Sequence, residues 1–219
     1  MPPVVSDEYK EKKRKRILES ALACFAEKGF QVATMDDIVK DSGISKGAIY
    51  NYFKSKEELY IELMNEKSNK SFEILRENLE KLPTAKERLS HFFEVFRSQV
   101  KVNPNWENTS MVHIEFWLSS VRNELTKDFM FNRYQNVYKK ILTDVIQYGV
   151  DRAEFSKSTD IDFVGNVYWS SFDGICFYQC VMENDELYVR LVNQLETVIN
   201  LMILPPKNNK AMEEFCRRD

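Results

Sequence analysis

The apolar positions of this chain recur every three or four residues almost from end to end, the period of helices that bury one face. No alternating apolar and polar runs flank a turn to mark a hairpin. The pattern predicts an all-α fold of about nine helices. Helix 1 is expected from about Glu8 to Lys28, with Ile17, Ala21, Leu22 and Phe25 on one face and Gly29 closing it. Thr34 is an N-cap for helix 2, with Asp37 as a short capping-box partner, and that helix ends near Gly43. Helix 3 follows Ser45 and runs to about Tyr52. Helix 4 follows Ser55, whose partner Glu58 completes a capping box.

Beyond this point the elements lengthen. Helix 4 reaches about Leu82 and stops before Pro83. Thr84 with Glu87 caps helix 5, which carries Leu89, Phe92, Phe93, Phe96 and Val100 up to the break at Asn103-Pro104-Asn105. Helix 6 is expected over Trp106–Val121. Helix 7 is expected over Glu124–Asp151, with Leu125, Phe129, Tyr134, Val137, Tyr138, Ile141 and Val145 inward. Helix 8 spans Asp160–Met182, and helix 9 spans Asp185–Ile203 ahead of Pro205-Pro206. The expected organisation is a compact module over residues 1–60, a bundle over 61–206 and a polar tail over 207–219. Helix 4 joins module and bundle without a flexible linker.

Composition narrows the class. Hydrophobic residues at 43% and aromatics at 13% exclude a disordered chain. No uncharged run approaches the ~20 residues that span a bilayer. No apolar stretch follows the basic start, so a cytoplasmic protein with no membrane partner is expected. Cys24, Cys176, Cys180 and Cys216 fit no zinc spacing, and only two histidines are present. No metal and no cofactor are expected. Cys176 and Cys180 lie one turn apart and are either packed thiols or a redox pair. The net charge of −3 does not mark a nucleic-acid binder, although Lys10–Arg16 holds six basic residues. Such a run is either a solvated helix face or an arm for phosphates.

The candidate chemistry lies at residues 34–53. Ile38, Ile44 and Ile49 can share one small core, and Gly43 permits the tight turn of a helix-turn-helix. The outward side of helix 3 is then polar or bare: Ser45, Lys46, Gly47, Ala48, Tyr50, Asn51 and Tyr52. Lys46 can donate to guanine edges and Ala48 can touch a thymine methyl. Tyr50, Asn51 and Tyr52 can hold phosphates. Thr34 and Lys56, at the starts of helices 2 and 4, add N-terminal phosphate sites.

From Ile17 to Leu63 the chain resembles the DNA-binding domain of the TetR family of repressors. The resemblance rests on Phe25-x-x-x-Gly29-Phe30, Thr34, Gly43-Ile44-Ser45-Lys46-Gly47, Ile49-Tyr50-x-Tyr52-Phe53 and Lys54-Ser55-Lys56-Glu57-Glu58-Leu59. Val39 departs from the family's usual small alanine, and Tyr52 from a common histidine. The resemblance implies a transcription repressor on a palindromic double-stranded DNA operator. It implies a homodimer through helices 8 and 9, and a small-molecule effector in a cavity among helices 4 to 8. On that layout Trp106, His113, Glu115, Phe116 and Trp117 on helix 6, and Trp169, Phe172, Asp173 and Phe177 on helix 8, are candidate effector contacts. For His113 and Glu115 the alternative is another side chain as partner. For helix 8 the alternative is the dimer seam, where Gly165 and Gly174 would allow close approach.

A reading from another class is a metal-dependent helical enzyme. Asp36-Asp37-x-x-x-Asp41 is similar to the aspartate-rich motif of isoprenoid synthases. Its spacing is one residue too long, no second acidic site faces it, and no nucleophile–base pair occurs elsewhere. The expectation is a regulator and not an enzyme.

Overall fold

The computed structural model describes residues 6–103 and 106–204, apart from the side chains of Lys67, Ser68 and Leu125. The expected break at Pro104-Asn105, the stop at Pro205-Pro206, the tail 207–219, Cys216 and the Leu125 side chain lie outside the described residues.

Among the described residues the chain forms helices and no strand. They are α1 (Asp7–Lys28), α2 (Met35–Ser42), α3 (Lys46–Tyr50), α4 (Lys56–Glu80), α5 (Ala85–Val102) and α6 (Trp106–Ser120). Next comes α7, an α segment Glu124–Arg133, a π turn Tyr134–Lys139 and a second α segment Lys140–Asp151. Last are α8 (Ile161–Met182) and α9 (Asp185–Ile203).

The caps act as the residue types dictate. Thr34 Oγ1 accepts the Asp37 N–H at 3.2 Å, and Asp37 Oδ2 takes the Thr34 N–H at 2.9 Å. Thr84 and Glu87 repeat this reciprocal box at the start of α5. The box expected at Ser55 forms only half: Ser55 Oγ accepts the Glu58 N–H, but the Glu58 carboxylate takes the N–H of Lys54.

The π turn is the main departure from the expected helix 7. It buries Tyr138 and Lys139. A Cβ on Gly165 would lie 2.8 Å from Lys139 Cγ and 2.9 Å from Thr143 Cγ2, so glycine makes room for that lysine stem. Lys139 Nζ then reaches Asp162 at 2.6 Å. Gly165 therefore serves a contact within the chain.

The fold divides into two compact units. The smaller combines the chain up to Lys70 with Asn108–Met130, and the larger combines Ser71–Glu107 with the chain from Phe131. This division differs from a cut at residue 60, because most of α6 belongs with the N-terminal helices. The smaller unit's core contains Ile17, Ala21, Phe25, Phe30, Ile38, Ile49, Tyr60, Val112 and Phe116. In the larger unit α5, α7, α8 and α9 pack together around Phe92, Phe93, Leu142, Ile146, Tyr168, Tyr188 and Ile199.

Two predictions follow from these contacts. A Cβ on Gly149 would lie 2.1 Å from the ring of Phe155 and 2.8 Å from Ala85 Cβ. Overpacking of about 1–3 kcal/mol outweighs the ~1 kcal/mol that alanine gains in a helix, so Gly149→Ala should lower the denaturation midpoint; an equal or higher midpoint contradicts this packing. Hydrogen bonds from Lys28, and then from Thr34, hold the Asp37 carboxyl at about 2 against an ordinary 3.8. A depressed folded value contributes stability above the unfolded one, and that stability is lost as pH falls from 3.8 towards 2. Asp37→Asn should therefore flatten the acid limb of unfolding in that window, read by circular dichroism at low salt.

Candidate nucleic-acid interface

Helix α2 ends at Gly43, which adopts the left-handed conformation with φ 64° and ψ 17° and returns its N–H to Val39 O. Ser42 is buried in the turn, where its Oγ accepts the Ile44 N–H at 3.2 Å. Ile38 and Ile49 are fully buried and Ile44 nearly so. These three anchors fix the rotation of α3.

With Ile49 inward, Ser45, Lys46, Gly47 and Asn51 are exposed, as is Thr34 at the start of α2. A Cβ on Gly47 would meet nothing within 4 Å, so the backbone there is open to close approach. Ala48 and Tyr52 rest partly on the core, and Tyr50 is half-buried. The structure thus brings Thr34, Ser45, Lys46, Gly47 and Asn51 to the surface of one small module, with Ala48, Tyr50 and Tyr52 at its margin.

Lys46 Nζ lies 2.7 Å from Asp36, and the two side chains are 59% and 69% exposed. The hydrogen bond it donates to Asp36 raises the lysine's pKa, so it stays cationic. An exposed pair of this kind is weak and exchangeable. Asp37 is held by Lys28 at 2.5 Å. Two of the three acids in the aspartate-rich motif are thus each paired with a lysine.

Lys56 departs from the phosphate role expected of it. Its Nζ donates to the carbonyls of Phe30, Gln31 and Ala33 at 2.8, 2.8 and 3.2 Å. An ammonium has three donors, and all three are used to hold the turn before α2. Sequence reasoning missed Arg16 as an individual contact. Within the basic run, Arg14 pairs with Glu11, Glu62 and Glu66, while Lys10 and Lys12 pair with Asp7 and Glu8. Arg16 is exposed and joins none of the ion pairs among the described residues. Its Nη2 lies 3.4 Å from where a Gly43 Cβ would stand. The signal in sequence was charge alone, because only the fold carries Arg16 to the turn.

The expected effector contacts are divided between the two units. Glu115 accepts the Phe30 N–H beside Gly29. Trp117 Nε1 donates to His113 Nε2 at 2.8 Å, and His113 Nδ1 meets Tyr60 Oη at 2.9 Å. Phe116 stacks on Tyr60 with centroids 3.6 Å apart. These four α6 residues serve the smaller unit's own packing. Trp106 belongs to the larger unit, edge-on to Tyr188. Trp169 and Phe172 are core there, whereas Asp173 and Phe177 are exposed. The Asp173 carboxyl is nevertheless raised to about 6 by the desolvating protein around it. A surface cleft lined by Arg76, Leu79, Arg88 and Ile141 contains none of the expected residues. Burial pushes the Cys176 thiol well up and raises that of Cys180, the opposite of the thiolate character that redox chemistry requires. Among the described residues no cluster of metal-ligating side chains occurs, and no helix is long and apolar enough to cross a membrane.

Similarity to known proteins agrees with this geometry. The family profile "Bacterial regulatory proteins, tetR family" matches residues 17–63, and "Tetracyclin repressor-like, C-terminal domain" matches residues 99–190. The uncharacterized HTH-type transcriptional regulator YfiR of Bacillus subtilis is 28% identical over 179 residues, spanning 80% of this chain and 83% of its own. Two solved structures share the fold. The transcriptional regulator FadR from Bacillus subtilis, in complex with stearoyl-CoA, has a TM-score of 0.70 at 23% identity, covering 84% of this chain and 96% of its own. A putative transcriptional regulator from Saccharomonospora viridis, in complex with choline, has a TM-score of 0.74 at 21% identity, covering 89% and 99%. From the turn at Gly43 to the matched C-terminal helices, the chain belongs to the tetR family of bacterial regulatory proteins.

Proposed function

We propose that this chain is a cytoplasmic transcription repressor and not an enzyme. It grips a palindromic operator as a homodimer and is released by a small-molecule effector. One observation carries the DNA-binding part. Helix α3 is pinned by Ile49 and presents Lys46 beside a bare Gly47, with Arg16 near the turn at Gly43 and Thr34 exposed at the start of α2.

Lys46 and Ala48 are the base readers, with Lys46 exchanging Asp36 for a guanine edge. Thr34, Ser45, Tyr50, Asn51, Tyr52 and Arg16 hold phosphates, while the Gly47 backbone approaches the groove floor. Lys56 acts by holding the turn before α2.

Dimerisation is supported by the surface of α8 and α9. Phe163, Val167, Ser170, Gly174, Phe177 and Val181 follow spacings of four and three residues along α8, and all are exposed or half-buried. Leu187, Leu191, Gln194, Val198 and Leu201 do the same on α9. This is the seam pattern of packed helices, and an exposed apolar stripe of this kind marks an interface. A Cβ on Gly174 would meet nothing within 4 Å, which leaves space for a partner helix. The two-fold pairing of two recognition helices then requires half-sites about one DNA turn apart or a multiple of it.

Effector control is supported by the structural neighbours that hold stearoyl-CoA and choline. An effector in the larger unit would favour a dimer whose recognition helices no longer match the half-sites. DNA would weaken effector binding by the same factor.

Two predictions test this reading. A gel shift on the DNA flanking the gene should show one complex, weakened steeply by salt. In that assay Lys46→Ala should relax base preference at one position per half-site, whereas Arg16→Ala should keep the preference and lower the salt slope by about 1 per site. Unchanged affinity and footprint for Lys46→Ala at fixed salt would remove α3 as the reader. For the dimer, Phe177→Glu combined with Val181→Glu should give a folded monomer in sedimentation with little operator affinity. A dimer that survives both charges places the seam elsewhere.

A further inference from the structure

Among the buried polar atoms of the larger unit that lack a partner within the described residues, two stand together in its aromatic core. Tyr168 and Trp169 stand side by side on α8, with ring centroids 5.0 Å apart and planes at 89°. Phe96 and Phe172 lie against both rings, Phe92 against Tyr168, and Tyr138 against Trp169. Tyr168 is fully buried and Trp169 is 5% exposed. Neither Tyr168 Oη nor Trp169 Nε1 has a hydrogen-bond partner among the described residues.

Their neighbours do find partners. Tyr188 Oη donates to Phe96 O at 2.8 Å, and Tyr138 Oη accepts from Arg133 Nε at 2.9 Å. The nest is therefore not closed to hydrogen bonding as such. A buried polar group left unpaired carries its full desolvation penalty, and the great majority of such groups are paired. A phenylalanine at either position would keep most of the apolar packing without that penalty. Two orphans on consecutive residues of one helix, within one ring of aromatics, point to a shared partner from outside the chain.

The chemistry of the two groups selects that partner. An indole N–H can only donate, and a phenol can donate or accept. A single atom that serves both must be an acceptor. We infer that the effector of the proposed repressor is a largely apolar molecule bearing a carbonyl or carboxylate, whose oxygen takes the hydrogen bonds of Tyr168 Oη and Trp169 Nε1. This rests on the reading of the chain as effector-controlled. It adds the class of effector and the two residues that read it. The rings of Phe92, Phe96 and Phe172 part to admit the apolar body.

The test uses the full chain with three probes that carry comparable alkyl chains: decanoate, 2-decanone and decyltrimethylammonium. Thermal unfolding and calorimetry are measured for the wild type, Tyr168→Phe and Trp169→Phe. Decanoate or 2-decanone should raise the wild-type Tm. Each variant should weaken that probe about tenfold, the loss of one buried hydrogen bond. Without probe, Tyr168→Phe should unfold at the wild-type Tm or above it, because no bond is lost. A lower Tm for unliganded Tyr168→Phe means that Oη is already paired, which overturns the inference. So does binding of decyltrimethylammonium alone with equal affinity in wild type and variants, which identifies a cation cage. Lack of any response to both decanoate and 2-decanone overturns it as well. A gel shift on the same samples separates the two levels. Operator binding without probe response defeats this site and leaves the repressor, whereas probe binding without operator binding does the reverse.

Discussion

The recognition module depends on one backbone conformation, the left-handed turn at Gly43. An ordinary side chain there costs roughly 1–2 kcal/mol. Glycine removes that cost, so α2 can stop and α3 can start within three residues. Reversal over so short a distance drops Ile44 between Ile38 and Ile49. Helix α3 has five residues, far below the ~12–15 at which an isolated helix becomes marginal in water. Its existence and its rotation both come from that packing. Lys46 and Gly47 face outward because Ile49 cannot.

The features legible in sequence were those set by neighbours along the chain. Thr34 with Asp37 and Thr84 with Glu87 announced helix starts, because a cap and its partner lie three residues apart. Gly29 and Gly43 announced stops for the same reason. Ser55 with Glu58 looked identical, yet its carboxylate chose the N–H of Lys54 one residue earlier. The π turn at Tyr134–Lys139 was invisible. A π turn shifts the helical phase locally, and the contact made there, the Lys139 stem against Gly165, comes from a residue far along the chain.

Function-bearing side chains divided along the same line. The exposure of Lys46 followed from local periodicity. The fate of Lys56 did not, because its three carbonyls come from a turn more than twenty residues earlier in the chain. Glu115 and His113 were candidate effector contacts on the family's layout, with another side chain as the alternative partner. Their partners are Phe30 and Tyr60, from elements far away in sequence. Tyr168 attracted no notice, since an aromatic on an inward stripe reads as core, and it is core. Its unpaired hydroxyl becomes visible only when the neighbouring atoms are in place.

Those polar groups separate the two units by design. In the smaller unit, Ser42, Glu115 and His113 each meet a defined partner. Satisfied buried networks fix one geometry, which suits a module that must match the fixed spacing of base edges. In the larger unit, Tyr168 Oη and Trp169 Nε1 are buried without partners among the described residues. Such a core is held by apolar packing, while its polar groups remain available to a third party. A ligand can shift an equilibrium only by the difference in its affinity for the two states. Unpaired donors supply such a difference, because a bound acceptor gains bonds that the free core does not already make. The same atoms that lower the stability of the free bundle thereby increase the leverage of whatever occupies it.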